Sequence, residues 1–314
     1  MGVKTILVLF IFSFVHVCSA QDVTYKEAFP DKITLRLSLQ TTSNNFTLRD
    51  KITRNKTEFI PNDKSYLGLS ALFRFLEIDF GYAPNFLSEN KDNGDSKLIT
   101  FNIRTFFGQY MQTVDLYKQK GFFIRTQDLT LPVDDLKTFK IGGTSSYIFN
   151  PDFSFRAIGF QNEWQKKSVG SFIPSISYYY TKFKLEDPIL DDQLEHSFKL
   201  AVGPGYYYNW IFDKNYILSA GGTGGLGFNL SNSQGNTSFT GLAQLIFRLS
   251  GGYNSESFFS GITMNTQLLT HTSAEKFILD DSISFLEFYL GYRFDAPKKW
   301  IKKADEISRK FGIE

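Results

Sequence analysis

His271 stands two positions before Ser273 in the triplet His-Thr-Ser. On an extended chain that spacing puts both side chains on one face. The imidazole could then take the serine hydroxyl proton, with Asn265 or Asp280 as orienter, which is the arrangement of acyl transfer. A strand presenting such a pair at the outer boundary of a bilayer would be a lipid hydrolase. His196–Ser197 is a weaker version, because adjacent strand residues face opposite ways. No flanking sequence supports a catalytic set, so His271 and Ser273 stand as the catalytic candidates against a plainer reading, a solvated histidine in a polar loop.

Other chemistries are thinner. Carboxylates crowd at Glu186, Asp187, Asp191, Asp192 and Glu195, but without the alternating spacing of a calcium loop they read as a solvated acidic loop. The glycines of 221–227 come with no lysine and no strand-to-helix context, so they suit a bend or a close backbone approach better than a phosphate. Cys18 is the single cysteine and would leave with a signal peptide, which excludes a disulfide framework and cysteine-based metal or redox chemistry. No metal site and no cofactor are expected. Lys and Arg (34) nearly balance Asp and Glu (32), which gives no basis for nucleic-acid binding. The Asn-x-Ser/Thr sites at Asn45, Asn55, Asn229 and Asn236 would matter only in a eukaryotic secretory pathway.

The elements that carry the charged residues are more informative. Ile33, Leu35, Leu37 and Leu39 alternate with Lys32, Thr34, Arg36 and Ser38. Leu286, Phe288, Leu290, Tyr292 and Phe294 alternate with Glu287, Tyr289, Gly291 and Arg293. Period two is strand periodicity. It predicts about thirteen strands, near 32–42, 66–74, 76–83, 97–107, 109–118, 138–149, 153–162, 170–184, 196–209, 215–228, 238–253, 257–270 and 283–294. Many reach the roughly nine to eleven residues of a tilted membrane-spanning strand. Membrane barrels of bacteria have even strand numbers, so twelve or fourteen is expected. Short turns at 74–75, 107–108, 150–152 and 209–215 alternate with long polar loops at 83–97, 119–137, 185–195 and 270–281.

The fold class predicted is therefore all-β, a closed antiparallel transmembrane β-barrel of about 12–14 strands with a short C-terminal basic amphipathic helix. Its outer face would be apolar, and its lumen would receive Arg36, Glu77, Asp79, Asn102, Arg104, Lys140, Arg156, Lys199, Arg248, Glu287 and Arg293. Aromatics make up 17% of the chain and cluster near strand ends, as interfacial girdles do. The first twenty residues read as a signal peptide cleaved after Ala20. Residues 21–31 form a short periplasmic lead, 32–295 the barrel and 296–314 a periplasmic amphipathic tail with Trp300, Ala304, Ile307 and Phe311 at helical spacing. A soluble secreted β-sandwich binding protein is the alternative architecture.

Four stretches, "PNDKSYLGLSALFRFLEIDFGYAP", "KGFFI", "QKKSVGSF" and "LGYRFDAPKK", together resemble an uncharacterised family of Bacteroidota outer-membrane proteins catalogued as a domain of unknown function, the DUF4421 type. The resemblance spans roughly Lys32 to Lys299. It implies an outer-membrane barrel and supplies neither catalytic residues nor a substrate. The expected role is passage of small solutes or a structural or surface function. The expected partners are outer-membrane lipids and, during insertion, the barrel-assembly machinery, with no nucleic acid and a monomeric state.

Overall fold

A computed structural model describes residues 24–311 apart from 62–63, 85, 88–96, 128, 160–161, 186–192, 234 and 274–276. The alternating segments become strands, and fifteen of them hydrogen-bond into one antiparallel sheet. After the short β1 (Lys26–Ala28) come β2 (Lys32–Asp50), β3 (Lys56–Pro61), β4 (Lys64–Phe73), β5 (Leu76–Tyr82) and β6 (Lys97–Phe107). Next are β7 (Tyr110–Arg125), β8 (Thr130–Tyr147), the isolated β9 (Glu163–Gln165), β10 (Val169–Phe172), β11 (Ser175–Leu185) and β12 (Gln193–Gly203). β13 (Gly205–Phe212), β14 (Tyr216–Ser233), β15 (Asn236–Asn254), β16 (Phe258–Ser273) and β17 (Phe277–Asp295) complete the sheet.

The sheet closes on itself. From β14 the pairing runs through β12, β11, β8, β7, β6, β5, β4, β2, β17 and β16 to β15, which pairs back onto β14 over its whole length. β10, β13 and β3 continue β11, β12 and β4 across breaks, which leaves a ring of twelve strands. Two breaks fall at Pro174 and Pro204, where the chain has no N–H for the ladder. Opposite Pro204 runs the glycine stretch of β14. A Cβ on Gly227 would collide with the Leu200 carbonyl and one on Gly221 with the Tyr207 ring, so these glycines permit the close approach expected of them.

Closure removes the sandwich alternative and explains the two faces. Leu35, Leu37 and Leu39 of β2 and Leu286, Phe288, Leu290, Tyr292 and Phe294 of β17 point outward, with Leu37 58% exposed. Beyond Leu39 the outer positions of β2 turn to Thr41, Asn45, Thr47 and Arg49, so the apolar band ends there. A continuous apolar wall of this kind is a surface for lipid. Among the described residues no helix is long and apolar enough to cross a membrane, so any crossing is made by strands.

Three expectations are corrected. The described residues of 153–162 do not form a strand; 156–159 make a 3₁₀ turn inside the ring's lower mouth. Phe153, Ser154, Phe155, Ala157 and Ile158 are all buried, so this alternation has no solvent face and the pattern carried no strand information. The predicted long loops at 119–137 and 270–281 are mostly strand, since β7 runs to Arg125, β8 begins at Thr130 and β17 at Phe277. β2, β15 and β17 each have 19 residues. At a rise of about 3.3 Å and a tilt of about 40° such a strand stands roughly 45 Å tall, against an apolar band of about 25 Å. Where strands project past lipid the outer face turns polar while inward residues such as Phe46, Phe122 and Leu136 are buried, and the apolar-outward alternation fades.

Both ends of the described chain lie at the mouth with the tight turns. Arg74, Asp213 and Lys214 (φ 55°, 45° and 61°) and Gly108 (φ 57°) make those turns in left-handed conformations. Helix α1 (Lys298–Phe311) docks there: Asp305 meets Arg74 at 2.7 Å, Arg74 also holds Asp31 at 3.0 Å, and Ala304 is buried. Trp300 is 56% exposed, edge-on to Phe73, rather than packed within a continuous stripe. The Phe311 side chain lies outside the described residues.

Candidate functional site

The lumen is the site, and it is stacked in layers set by the inward positions of each strand. At the lower mouth the β8–β10 connection folds into the ring as a plug. Phe153, Phe155 and Ile158 of the plug pack with Phe106, Met111, Ile148, Ile173 and Tyr207, while Ala157 meets Ile217, Phe259 and Tyr289. Polar groups fasten it: Ser250 Oγ donates to the Ile158 carbonyl at 2.8 Å and Asn209 Nδ2 to the Ser154 carbonyl at 3.0 Å. Gln165 Nε2 donates to the carbonyls of Tyr25 and Asp152, both at 2.9 Å, and β9 pairs with β1. The N-terminal lead is thereby tied to the plug.

Two expected lumen charges belong to this layer. Arg156 sits on the plug, 3.5 Å from Glu163 and over the Phe106 ring at 4.4 Å. Arg293, 1% exposed, lies between the rings of Phe29 and Phe259 and donates to the Ser255 carbonyl at 2.6 Å and to Asn254 Oδ1 at 2.9 Å. A Cβ at Gly291 would strike Phe259, so that glycine makes room for the ring. Arg293 is thus a clamp on the lower rim rather than a channel charge.

Above the plug lies a polar chamber of about 180 Å³. Arg36 reaches Asp79 at 3.1 Å, Glu287 at 3.8 Å and Glu77 at 4.0 Å, and donates to Ser70 Oγ. Arg104 holds Glu77 at 2.9 Å. Tyr179 donates its hydroxyl to Asp115 Oδ2 at 2.9 Å, and Asn102, with its amide nitrogen turned to the same carboxylate, donates to Oδ1 at 3.2 Å. Arg248 lines the chamber and covers Phe155 of the plug at 5.4 Å. Carboxylates therefore meet Arg36 and Arg104 in a shared network, while Arg248 rests on an aromatic ring.

Higher still, Asp281 takes Lys199 at 2.7 Å and Lys140 at 3.0 Å, all three nearly fully buried. An apolar layer lies above them: Phe46, Phe122 and Leu136 with Phe59, Val133, Phe183 and Leu279 packed against them. Phe46 meets Phe183 edge-on at 4.6 Å between ring centres. Sequence reasoning missed Asp281, Asp115 and Tyr179. Asp115 and Tyr179 hold inward positions of strands it had placed, and Asp281 was assigned to a loop.

His271 faces the interior, 3% exposed, opposite Leu242 and Leu279 in register, and its Nδ1 has no hydrogen-bond partner. Ser273 pairs with Phe277 in register, but its side chain lies outside the described residues. Neither expected orienter stands beside the imidazole. Asn265 lines the chamber three inward positions lower, and Asp280 is on the outer face, held by Thr270 at 2.8 Å and Arg49 at 2.5 Å. The register that faces His271 inward must face Asp280 outward. Of the acidic cluster, Glu186, Asp187, Asp191 and Asp192 lie outside the described residues.

A closed antiparallel ring with an apolar outer wall and a paired-charge interior defines a transmembrane β-barrel. The chain belongs to the family described as a domain of unknown function (DUF4421), whose profile matches residues 20–294. Among solved structures it is similar to the outer-membrane protease OmpT from Escherichia coli, with 8% identity over 85% of this chain and 98% of that one at a TM-score of 0.35. It is similar also to the COG4313 outer-membrane channel from Pseudomonas putida F1, at 9% identity, 88% and 100% coverage and a TM-score of 0.38. An anion-selective porin from Comamonas acidovorans matches at 10% identity, 84% and 100% coverage and a TM-score of 0.29. No curated protein matches the chain. Superposition at this level is loose, and the architecture rests on the strand pairing itself.

Proposed function

We propose that this protein is an outer-membrane β-barrel sealed at rest, not a standing diffusion pore. The observation that carries the reading is obstruction at two heights, by the 150–168 plug below and the Phe46–Phe122–Leu136 layer above. An aqueous pore needs a continuous hydrated path, and charges lining such a path stay solvated to set selectivity. Here Arg36, Arg104, Lys140 and Lys199 are held by carboxylates. Passage of a small solute would require the plug to leave and the aromatic layer to part. The apolar outer band and the two ends, one of tight turns and one of projecting strands, support the outer-membrane setting.

The test is planar-bilayer conductance of the full mature chain, with insertion shown by heat-modifiable migration on gels. Silence is expected. A variant with 152–166 replaced by a short Gly-Ser linker and Phe46→Ala and Phe122→Ala added should give steady ion-selective steps. Steady conductance by the unaltered protein would overturn the reading. Recovery of the cellular protein in the soluble fraction without detergent would overturn the membrane setting itself.

A further inference from the structure

Within the polar chamber one charge of each sign is left outside the ion-pair network. Arg36 and Arg104 are held by Asp79, Glu77 and Glu287. Arg248 makes no hydrogen bond and no ion pair among the described residues. It rests on the Phe155 ring, and Glu287 and Glu77 attract it only from farther off. Asp115 accepts from the Tyr179 hydroxyl and the Asn102 amide, both neutral, and it too has no ion pair among the described residues. The two face each other across the lumen. Asp115 is on β7 and Arg248 on β15, with β14, β12, β11 and β8 between them one way round the ring and β16, β17, β2, β4, β5 and β6 the other. Both side chains line the chamber.

Beside Arg248 the β15–β16 ladder adds open amide groups. Asn265 is its register partner and Gln267 stands two residues further along β16, on the same inner face. Gln267 is only 9% exposed and lines the chamber, and its Nε2, like Asn265 Oδ1, has no hydrogen-bond partner. Polar and charged groups taken out of bulk water without partners cost stability. A carboxylate would complete this corner, because the guanidinium fork and the amide N–H both donate. Opposite, an ionised Asp115 offers an acceptor to an ammonium.

From this arrangement we infer that the chamber is a binding site for a free amino acid, with its carboxylate on Arg248 and Gln267 and its ammonium on Asp115. A simple anion would serve only the Arg248 side and a simple amine only the Asp115 side. A zwitterion serves both and leaves the net charge of the lumen unchanged. Size agrees. At roughly 10–15 Å³ for each water-sized group, a chamber of about 180 Å³ admits about a dozen, which suits an amino acid and is too few for a disaccharide. The inference rests on the sealed-barrel reading in that the bound molecule is enclosed, with Phe155 of the plug beside Arg248.

The test refolds the full mature chain from urea into dodecyl maltoside micelles in an equimolar mixture of free amino acids, so that the seal is no barrier to entry. Equilibrium dialysis and mass spectrometry then identify what is bound. The wild type should take up about one amino acid per barrel. N-acetylated amino acids and amino-acid α-amides, each lacking one charge, should bind at least tenfold more weakly. Arg248→Met and Asp115→Asn should each weaken binding at least tenfold, Arg248→Lys should keep part of it, and Gln267→Leu should weaken it severalfold. Lys32→Met at the lower rim should leave it unchanged. Should the charge variants fail to fold, the capped amino acids still decide the matter on the wild type. No bound amino acid, equal binding of the capped forms, or undiminished binding by folded Arg248→Met and Asp115→Asn would overturn the assignment. A silent, folded barrel that binds no amino acid refutes this inference alone. Binding followed by release within seconds of dilution, or steady conductance, refutes the seal and leaves the site standing.

Discussion

Asp281 holds two ammonium groups beneath an apolar layer, an arrangement whose strength depends on all three members. Removing the carboxylate in Asp281→Ala would leave Lys140 and Lys199 buried without compensation, at a cost of about 3–5 kcal/mol. The expected result is a lower urea midpoint for unfolding in micelles, largely restored when both lysines are also replaced by Met. At the lower rim Lys32 donates to Glu256 at 3.0 Å and holds that exposed carboxyl below its ordinary range. A depressed folded value means the contact stabilises above the unfolded carboxylate pKa and is lost as pH falls through the folded one. Carbon-detected titration should show the Glu256 midpoint move back up in Lys32→Met. The inward charges were legible where Arg36, Glu77 and Glu287 alternate with large apolar residues. Asp281 was not, because its neighbours Asp280 and Ser282 are as polar as it is.

At the scale of elements, Arg74 occupies a left-handed turn and ties both Asp31 and Asp305. Arg74→Gly keeps the backbone conformation accessible while deleting both ion pairs. Trypsin should then release the α1 tail several times faster than from the wild type, with the barrel core still resistant. Unchanged cleavage would mean that Ala304 packing alone holds the helix. Strands and the tail helix could be read from the chain because each has one face in a different solvent. The plug could not, since burial on every side erases periodicity, and its strand-like alternation of Phe153, Phe155 and Ala157 records only packing on the lumen wall. The projecting ends of β7, β8 and β17 failed for another reason: past the lipid their outer positions turn polar while Phe122, Leu136 and Leu279 pack inward, so the apolar-outward alternation is lost.

For the whole molecule, the outer wall should behave as a membrane surface. Leu37→Arg, near the middle of the band, is expected to cost about 2–4 kcal/mol of folding stability, whereas Thr47→Arg beyond the band should cost little. Reversible folding into phosphatidylcholine vesicles measures both. The ring is also unequal along its axis. β5 and β6 stop at Tyr82 and Lys97, and above them β3 pairs straight onto β7 from Pro61–Phe122 to Glu58–Arg125. Twelve strands below therefore become ten above. In the language of crystals this is a dislocation: an extra pair of rows ends inside an otherwise regular lattice, and the lattice closes over it. A tube containing such a defect narrows, and because β3 meets β2 only at Phe46–Arg49, beyond Leu39 where the apolar band ends, the narrowing falls outside the lipid. The same defect makes the β5–β6 hairpin a separable insert, because the strands that would meet in its absence already pair in the required antiparallel sense just beyond its tip.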